Sequence, residues 1–291
     1  MWGERPSTKW LGVPNERTDQ ELVEAARAGN GRALEQLIGR HQARIYRFGL
    51  RMCRDPEDAK DVVQETLIAA ARTIREFRGS SSVSTWLYTI ARSFCIKKRR
   101  RSKFAPAEIE SLEAREPGEE ATQLADPSRP ADESMAGRQL EAALDSAISS
   151  LEPMYREVLV LRDVEGLTAP EVAGVMGLTV EAVKSRLHRA RVAVREAVAP
   201  VLGVPTGGPP REAEGCPDIV ELFSRHLEGE ISSSLCKEME QHLSRCPSCA
   251  GRCQTLQRTL ALCQAAPLPA VPDEVQAEVR LALKRFIALH T

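Results

Sequence analysis

The sequence predicts an all-α protein: two helical domains on a flexible acidic tether, then a small helical cysteine-rich domain and a last helix. Three observations predict it. Ala, Leu, Arg and Glu dominate the composition and favour helices. Alternating Val/Ile/Thr-rich runs that would mark strands are absent. Apolar residues recur instead at three- and four-residue spacing, between caps and Gly breaks.

At 291 residues the chain has room for two or three domains. Its net charge of −1 hides a strong asymmetry. Residues 1–105 carry 21 basic against 12 acidic side chains, whereas 106–134 carry 2 against 9. A basic front end suits nucleic acid. No apolar run approaches the roughly 20 residues a membrane helix needs. The start, MWGERPSTKWLGVPNE, has no apolar signal core, so a cytoplasmic location without a membrane partner is expected. No HExxH, P-loop or hydrolase elbow appears, which argues against an enzyme.

Residues 1–17 hold two Trp but no periodicity and are expected to be a loose tail. The first helix, 18–28, opens on a capping box from Thr18 to Glu21. A Gly break precedes a long helix at 33–53. Asp55 caps the third, with Pro56 at its first position. On it Asp58, Asp61, Gln64 and Glu65 recur at helical spacing, which suits a basic partner or a plain solvated face. A Gly/Ser loop at 79–84 leads into a helix carrying Trp86 and Arg92 and ending in Lys97, Lys98, Arg99, Arg100 and Arg101. Cys53 and Cys95 read as small buried hydrophobes. Residues 105–134, rich in Pro and Glu without an apolar stripe, are expected to be a tether.

Between 135 and 200 lies a helix-turn-helix pattern. Thr168 and Pro170 start one helix, Gly177 ends it, Leu178 plugs the corner and Thr179 caps the next. Val183, Leu187, Ala190 and Val194 form its inward stripe. Glu181, Lys184, Ser185, His188 and Arg189 point outward, with Arg186, Arg191 and Arg195 flanking. Such a second helix can lie in a DNA major groove.

A Pro/Gly linker at 201–214 leads to the cysteine-rich segment, 215–265, within which six of the eight cysteines fall. In a reducing compartment such a cluster argues for metal or redox chemistry. His242, Cys246 and Cys249 stand in HxxxC and CxxC spacing, and with upstream Cys216 they make a Cys3His set suited to structural Zn2+. Cys236, Cys253 and Cys263 are surplus and are candidate sensor thiols. Soft thiolates favour copper, cadmium or zinc as an inducer ion. His226 is expected at the surface. Residues 272–290 form a last amphipathic helix with Val275, Val279, Ala282, Leu283 and Phe286 in one stripe, expected to pack on the cysteine-rich extension or on either of the two preceding helical domains.

The run DPEDAKDVVQETLIAAARTIREFRG, with STWLYTIAR and the basic cluster after it, resembles region 2 of an extracytoplasmic-function (ECF) sigma factor. LEPMYREVLVLRDVEGLTAPEVA and VKSRLHRARVAVRE resemble that family's region 4. The resemblance implies region 2 at 18–104 and region 4 at 135–200. It implies promoter DNA and the clamp and flap of the RNA polymerase core as partners, with Asp58, Asp61, Gln64 and Glu65 on the clamp. The 79–84 loop would hold an unstacked −10 base, with Trp86, Arg92, Lys97, Lys98, Arg99 and Arg100 as stacking surface and phosphate track. Glu181, Lys184, Ser185, Arg186, His188, Arg189 and Arg191 would meet the −35 element. Ser93 departs from the Asn common beside this pocket, which puts base preference at −10 in doubt. The tether would either visit the template channel or act as a spacer.

CPDIVELFSRHLEGEIS followed by HLSRCPSC resembles a zinc-binding anti-sigma domain, and the whole chain resembles the CorE-like metal-responsive group. That implies a tail contacting its own sigma domains, in place of or beside a separate anti-sigma factor, and gating their activity. The sequence has no CxC pair, so no particular ion carries over. A redox-regulated sigma factor with a structural zinc tail is the alternative. A metal-sensing repressor is a further rival, which the region 2 motif argues against, and a metal buffer is opposed by the helix-turn-helix.

Overall fold

The structure, a computed structural model, describes residues 17–53, 55–104, 131–203, 216–265 and 268–290. Residues 1–16, most of the tether and the 204–215 linker lie outside them, so the expectations for those segments have no structural counterpart. The described residues form helices and no strand. In chain order these are α1 (Asp19–Arg27), α2 (Gly31–Cys53), α3 (Pro56–Thr73), α4 (Val83–Phe104), α5 (Ala131–Ser150) and α6 (Pro153–Leu159). A π-helical turn at Val160–Val164 extends α6. Then come α7 (Ala169–Met176), α8 (Val180–Val198), α9 (Ile219–Leu227), α10 (Ser233–Arg245), α11 (Pro247–Ala265) and α12 (Asp273–His290). Helix α5 starts at Ala131, inside the stretch expected to be tether.

Local chemistry sets the helix ends. Thr18 and Thr168 each make a reciprocal capping box, with Glu21 and Glu171. Asp55 accepts from the N–H groups of Glu57 and Asp58, satisfying donors the first turn leaves free. Gly177, at φ 66°, takes the left-handed conformation that turns the chain sharply from α7 into α8.

Helices α1–α4 bundle around Leu22, Ile45, Phe48, Val62, Leu67, Leu87 and Tyr88, all buried. Gly49 lets α2 approach α3 closely: a Cβ there would sit 3.3 Å from the Ala59 backbone. Helices α5–α8 bury Ile148, Leu159, Leu161, Val172, Val183 and Leu187 in the same continuous core. Each such side chain contributes about 1.5–3 kcal/mol relative to exposure. Helices α9–α11 have a small core of their own, built on Ile219, Phe223, Met239 and Leu256.

Helix α12 lies along α3 and touches α2. Val275, Val279 and Leu283 join the main core, Glu274 pairs with Lys60 of α3, and Ile287 fills the space above Gly31. Among the described residues no helix is long and apolar enough to cross a membrane.

Candidate nucleic-acid interface and metal centre

Thr179 caps α8 by accepting from the Ala182 N–H. Val183, Leu187, Ala190 and Val194 face inward and are buried. On the other side Glu181, Ser185 and Arg189 are exposed, and Lys184, Arg186 and His188 are half-buried. Lys184 is paired with Glu230, just beyond α9, while Arg189 donates to the Tyr155 hydroxyl at 3.3 Å.

Arg191 departs from its expected place. It is only 2% exposed, since position 191 follows Leu187 by one helical turn and falls on the buried stripe. Its Nε and Nη2 donate to the two Asp163 carboxylate oxygens at 2.9 and 2.7 Å. Nη2 also donates to Glu228 Oε1 at 3.0 Å, and Nη1 to Ser224 Oγ at 2.9 Å. In this arrangement no phosphate reaches it.

The 79–84 loop is turned by Gly79 at φ 73° and closed by Ser82 Oγ, which accepts from the Thr85 N–H. Ser82 and Thr85 both donate to Glu171 Oε1 of α7, at 2.9 and 3.2 Å. Trp86 is half-buried and stacks on Phe77 with ring centroids 4.7 Å apart. Lys97 and Arg100 are exposed. Arg92 and Arg99 both reach Glu157 of α6, at 2.8 and 3.4 Å. Lys98 bridges Asp58 and Asp61 of α3, so two residue sets expected to serve different partners meet each other. Gln64 and Glu65 are half-buried on α3.

A buried group holds α1–α4 to α5–α8. Glu165, at the end of the π turn, accepts from Arg47 Nε and Nη2 at 2.8 Å each and from the Tyr88 hydroxyl at 2.7 Å. Burial and the Glu165 carboxylate push the Tyr88 phenol well above its ordinary pKa, so it stays a donor. These carboxylates were not picked out from sequence. The signal was present: Asp163 and Glu165 interrupt the apolar run VLVLRDVEG, and buried acids need partners.

At the metal centre Cys216 precedes α9, His242 lies in the last turn of α10, Cys246 is the α10 C-cap and Cys249 lies in the first turn of α11. Their donor atoms all lie within 4.8 Å of one another. The Sγ atoms of Cys216 and Cys246 are 3.9 Å apart, close to the ~3.8 Å that two ~2.3 Å Zn–S bonds at a tetrahedral angle require. His242 Nε2 is buried with no hydrogen-bond partner, an orphan that a metal ion would satisfy. The Cys249 backbone N–H and thiol hold the Cys246 thiol below its ordinary pKa, and burial pushes Cys249 up to about 12. The donor set fits Zn2+, which would tie three helices together.

The three surplus thiols are not brought together. Cys236 Sγ lies 3.8 Å from Nδ1 of His226, which is half-buried rather than fully at the surface. Cys253 sits in the small core against the Ile219 carbonyl, its thiol pushed up to about 11 by burial. Cys263 is fully buried in the main core and pushed up to about 12. Ten residues along α11 separate these last two, roughly 15 Å. Among the described residues the only group of three or more candidate ligands is the Cys3His set.

Three family models match. Residues 37–104 match "Sigma-70 region 2", 141–194 match "Sigma-70, region 4" and 216–250 match "Putative zinc-finger". The RNA polymerase sigma-H factor of Pseudomonas aeruginosa is 34% identical over 188 residues, covering 63% of this chain and 95% of that one. The chain belongs to the ECF RNA polymerase sigma factor family. The ECF sigma-E factors of Haemophilus influenzae and Escherichia coli K12 are 33% and 32% identical, each over 64% of this sigma factor and 97% and 96% of their own lengths.

As a sigma factor it is not an enzyme: it binds RNA polymerase core and promoter DNA and initiates transcription. Region 2 therefore contains α3, α4 and most of α2, and region 4 contains the second half of α5, α6, α7 and most of α8. The three matches end at residue 250, before α12 begins.

Proposed function

We propose that this sigma factor is held closed by its own C-terminal extension, acting in the cytoplasm in place of or beside a separate anti-sigma factor. The observation that carries this is the Arg191–Glu228 contact, buried between the helix-turn-helix and the extension. Glu230 pairs with Lys184 beside it, in a more solvent-exposed contact. Both acids bring negative charge against α8, and that charge repels phosphate. Helix α12 covers α3, whose Asp58, Asp61, Gln64 and Glu65 we assign to the polymerase clamp.

In the open form Glu181, Lys184, Ser185, Arg186, His188 and Arg189 read or grip the −35 element, while Arg191 stays on Asp163 inside region 4. The 79–84 loop, with Trp86, Arg92, Lys97, Lys98, Arg99 and Arg100, takes the unstacked −10 strand. Glu171 and Glu157 of region 4 occupy that loop and two of those cations in the closed form. Zinc on Cys216, His242, Cys246 and Cys249 gives α9–α11 the rigidity to hold α8. Ion exchange at this centre, by zinc, cadmium or copper as in the CorE-like group, is the signal we favour. Thiol oxidation with zinc release is the second reading, favoured by the 3.9 Å Cys216–Cys246 contact.

Transcription in vitro with core polymerase on a promoter library tests both levels. A sigma factor starts RNA at a defined promoter, where a repressor does not. The zinc-loaded chain should initiate weakly, and the Glu228→Gln/Glu230→Gln variant strongly. Equal initiation by the two would remove the gating role from this contact.

A further inference from the structure

Region 2 carries a pair of thiols far from the zinc centre. Cys53 closes α2 and Cys95 lies on the facing side of α4, 42 residues later, with their Sγ atoms 3.7 Å apart. Both are free, Cys95 buried and Cys53 half-buried. Sulfurs at this separation need only a short approach to reach a ~2.05 Å disulfide. Packing alone asks for two small apolar groups here, and does not explain why both should be thiols in contact.

We propose that Cys53 and Cys95 form a redox-active dithiol that hydroperoxides close to a disulfide, independently of the zinc cysteines. Cys53 is the attacking thiol, since it is the more accessible. When it ionises, the Cys95 S–H turned toward it holds its pKa below the ordinary value, and nearby Lys98 adds to this against Asp55 and Asp58. Cys95, pushed well up by Cys53 and by burial, is the resolving partner.

The Cys53 thiolate attacks one peroxide oxygen, breaks the O–O bond and becomes a sulfenic acid. The other oxygen leaves as an alcohol or water after taking a proton. The Cys95 sulfur then attacks the sulfenic sulfur, and the Cys95 proton leaves with the hydroxyl as water. Two thiols are oxidised by two electrons and one hydroperoxide is reduced. Transient disulfides of this kind are the ones reducing compartments allow. The bond would pin α2 to α4 two residues before Asp55, the cap of the helix that carries Asp58 and Asp61.

The test uses the full-length, zinc-loaded protein treated with graded hydrogen peroxide, then alkylated, digested and analysed by mass spectrometry, with released zinc followed by a chromogenic chelator. The proposal expects a Cys53–Cys95 linked peptide, two hydrogens lighter than the two thiols, at doses where zinc stays bound. Dithiothreitol should reverse it. In Cys95→Ser the linked peptide should vanish and Cys53 should accumulate as a dimedone-trapped sulfenic acid. In Cys53→Ser and Cys53→Ala, checked for native helicity and zinc content, neither species should form. Alkylated, unoxidised Cys53 and Cys95 at doses that already expel zinc would overturn it, as would linkage of either to a tail cysteine.

Discussion

Arg191 Nη2, on the recognition helix, donates at 3.0 Å to Glu228 Oε1, which belongs to the C-terminal extension 37 residues away. Both side chains are almost wholly removed from solvent. The second helix of the helix-turn-helix, which we assign to DNA, thus has one of its arginines engaged by the same chain.

Removing Glu228 should loosen the extension without unfolding region 4, because Asp163 still holds Arg191 through two hydrogen bonds. Glu228→Ala should cost about 1–3 kcal/mol of extension docking and strengthen binding to −35 duplex. Asp163→Ala strips the partner within region 4 and should instead lower the stability of the whole chain. Thermal unfolding and DNA titration of the two variants separate these outcomes.

The Tyr88–Glu165 bond predicts a lock between regions 2 and 4. Tyr88→Phe keeps the buried ring and its contact with Phe48, 5.3 Å between centroids, but leaves one carboxylate lone pair unfilled. It should cost about 1 kcal/mol and lengthen the time-averaged distance between the regions, read by paired fluorophores on α1 and α7. An unchanged distance would assign the closure to the extension alone.

Stripping the metal should act locally first. Helices α9–α11 have a small core, so their order depends on the ion. A chelator, or Cys249→Ser, should lower helicity by the share of these helices while α1–α4 stay folded, and should raise amide exchange in α8. Full protection of α8 after zinc loss would contradict this.

Acid should undo the docking of α1. The His41 hydrogen bond, followed by the Arg40 bond, holds Asp19 at a pKa of about 2, below the ordinary aspartate value of about 3.9. His41 Nε2 lies 2.7 Å from the carboxylate. A depressed carboxylate pKa gives stability that is fully present above the unfolded value and lost as pH falls through the folded one. The loss should therefore fall between about pH 4 and pH 2, and Asp19→Asn should flatten it in acid titrations of stability.

Much of this was legible in the sequence because it is local. The caps at Thr18, Asp55, Thr168 and Thr179, the turn at Gly177 and the HxxxC and CxxC spacings each depend on a few neighbouring residues. Helix α12 was visible as an amphipathic stripe, but its seat on α3 was not. What the sequence hid is the long-range pairing of charges. Arg191 looked like a phosphate ligand because its partner Glu228 belongs to another element. Arg47 and Glu165 are 118 positions apart. Lys98 meeting Asp58 and Asp61 follows only from how α3 crosses α4. The surplus thiols looked like one sensor because sequence proximity reports neither that Cys236, on α10, sits beside His226 nor that Cys253 and Cys263 enter different cores from α11.

We propose above that the extension closes this sigma factor on itself. The most direct test of that closure is single-round transcription with core polymerase, comparing the zinc-loaded full-length protein with a chain ending at residue 203. The shorter chain keeps both sigma-70 matches, 37–104 and 141–194. The shorter chain should give at least ten-fold more transcript, equivalent to about 1.4 kcal/mol of closure. Equal or lower output from it would contradict the closed form as an inhibited state.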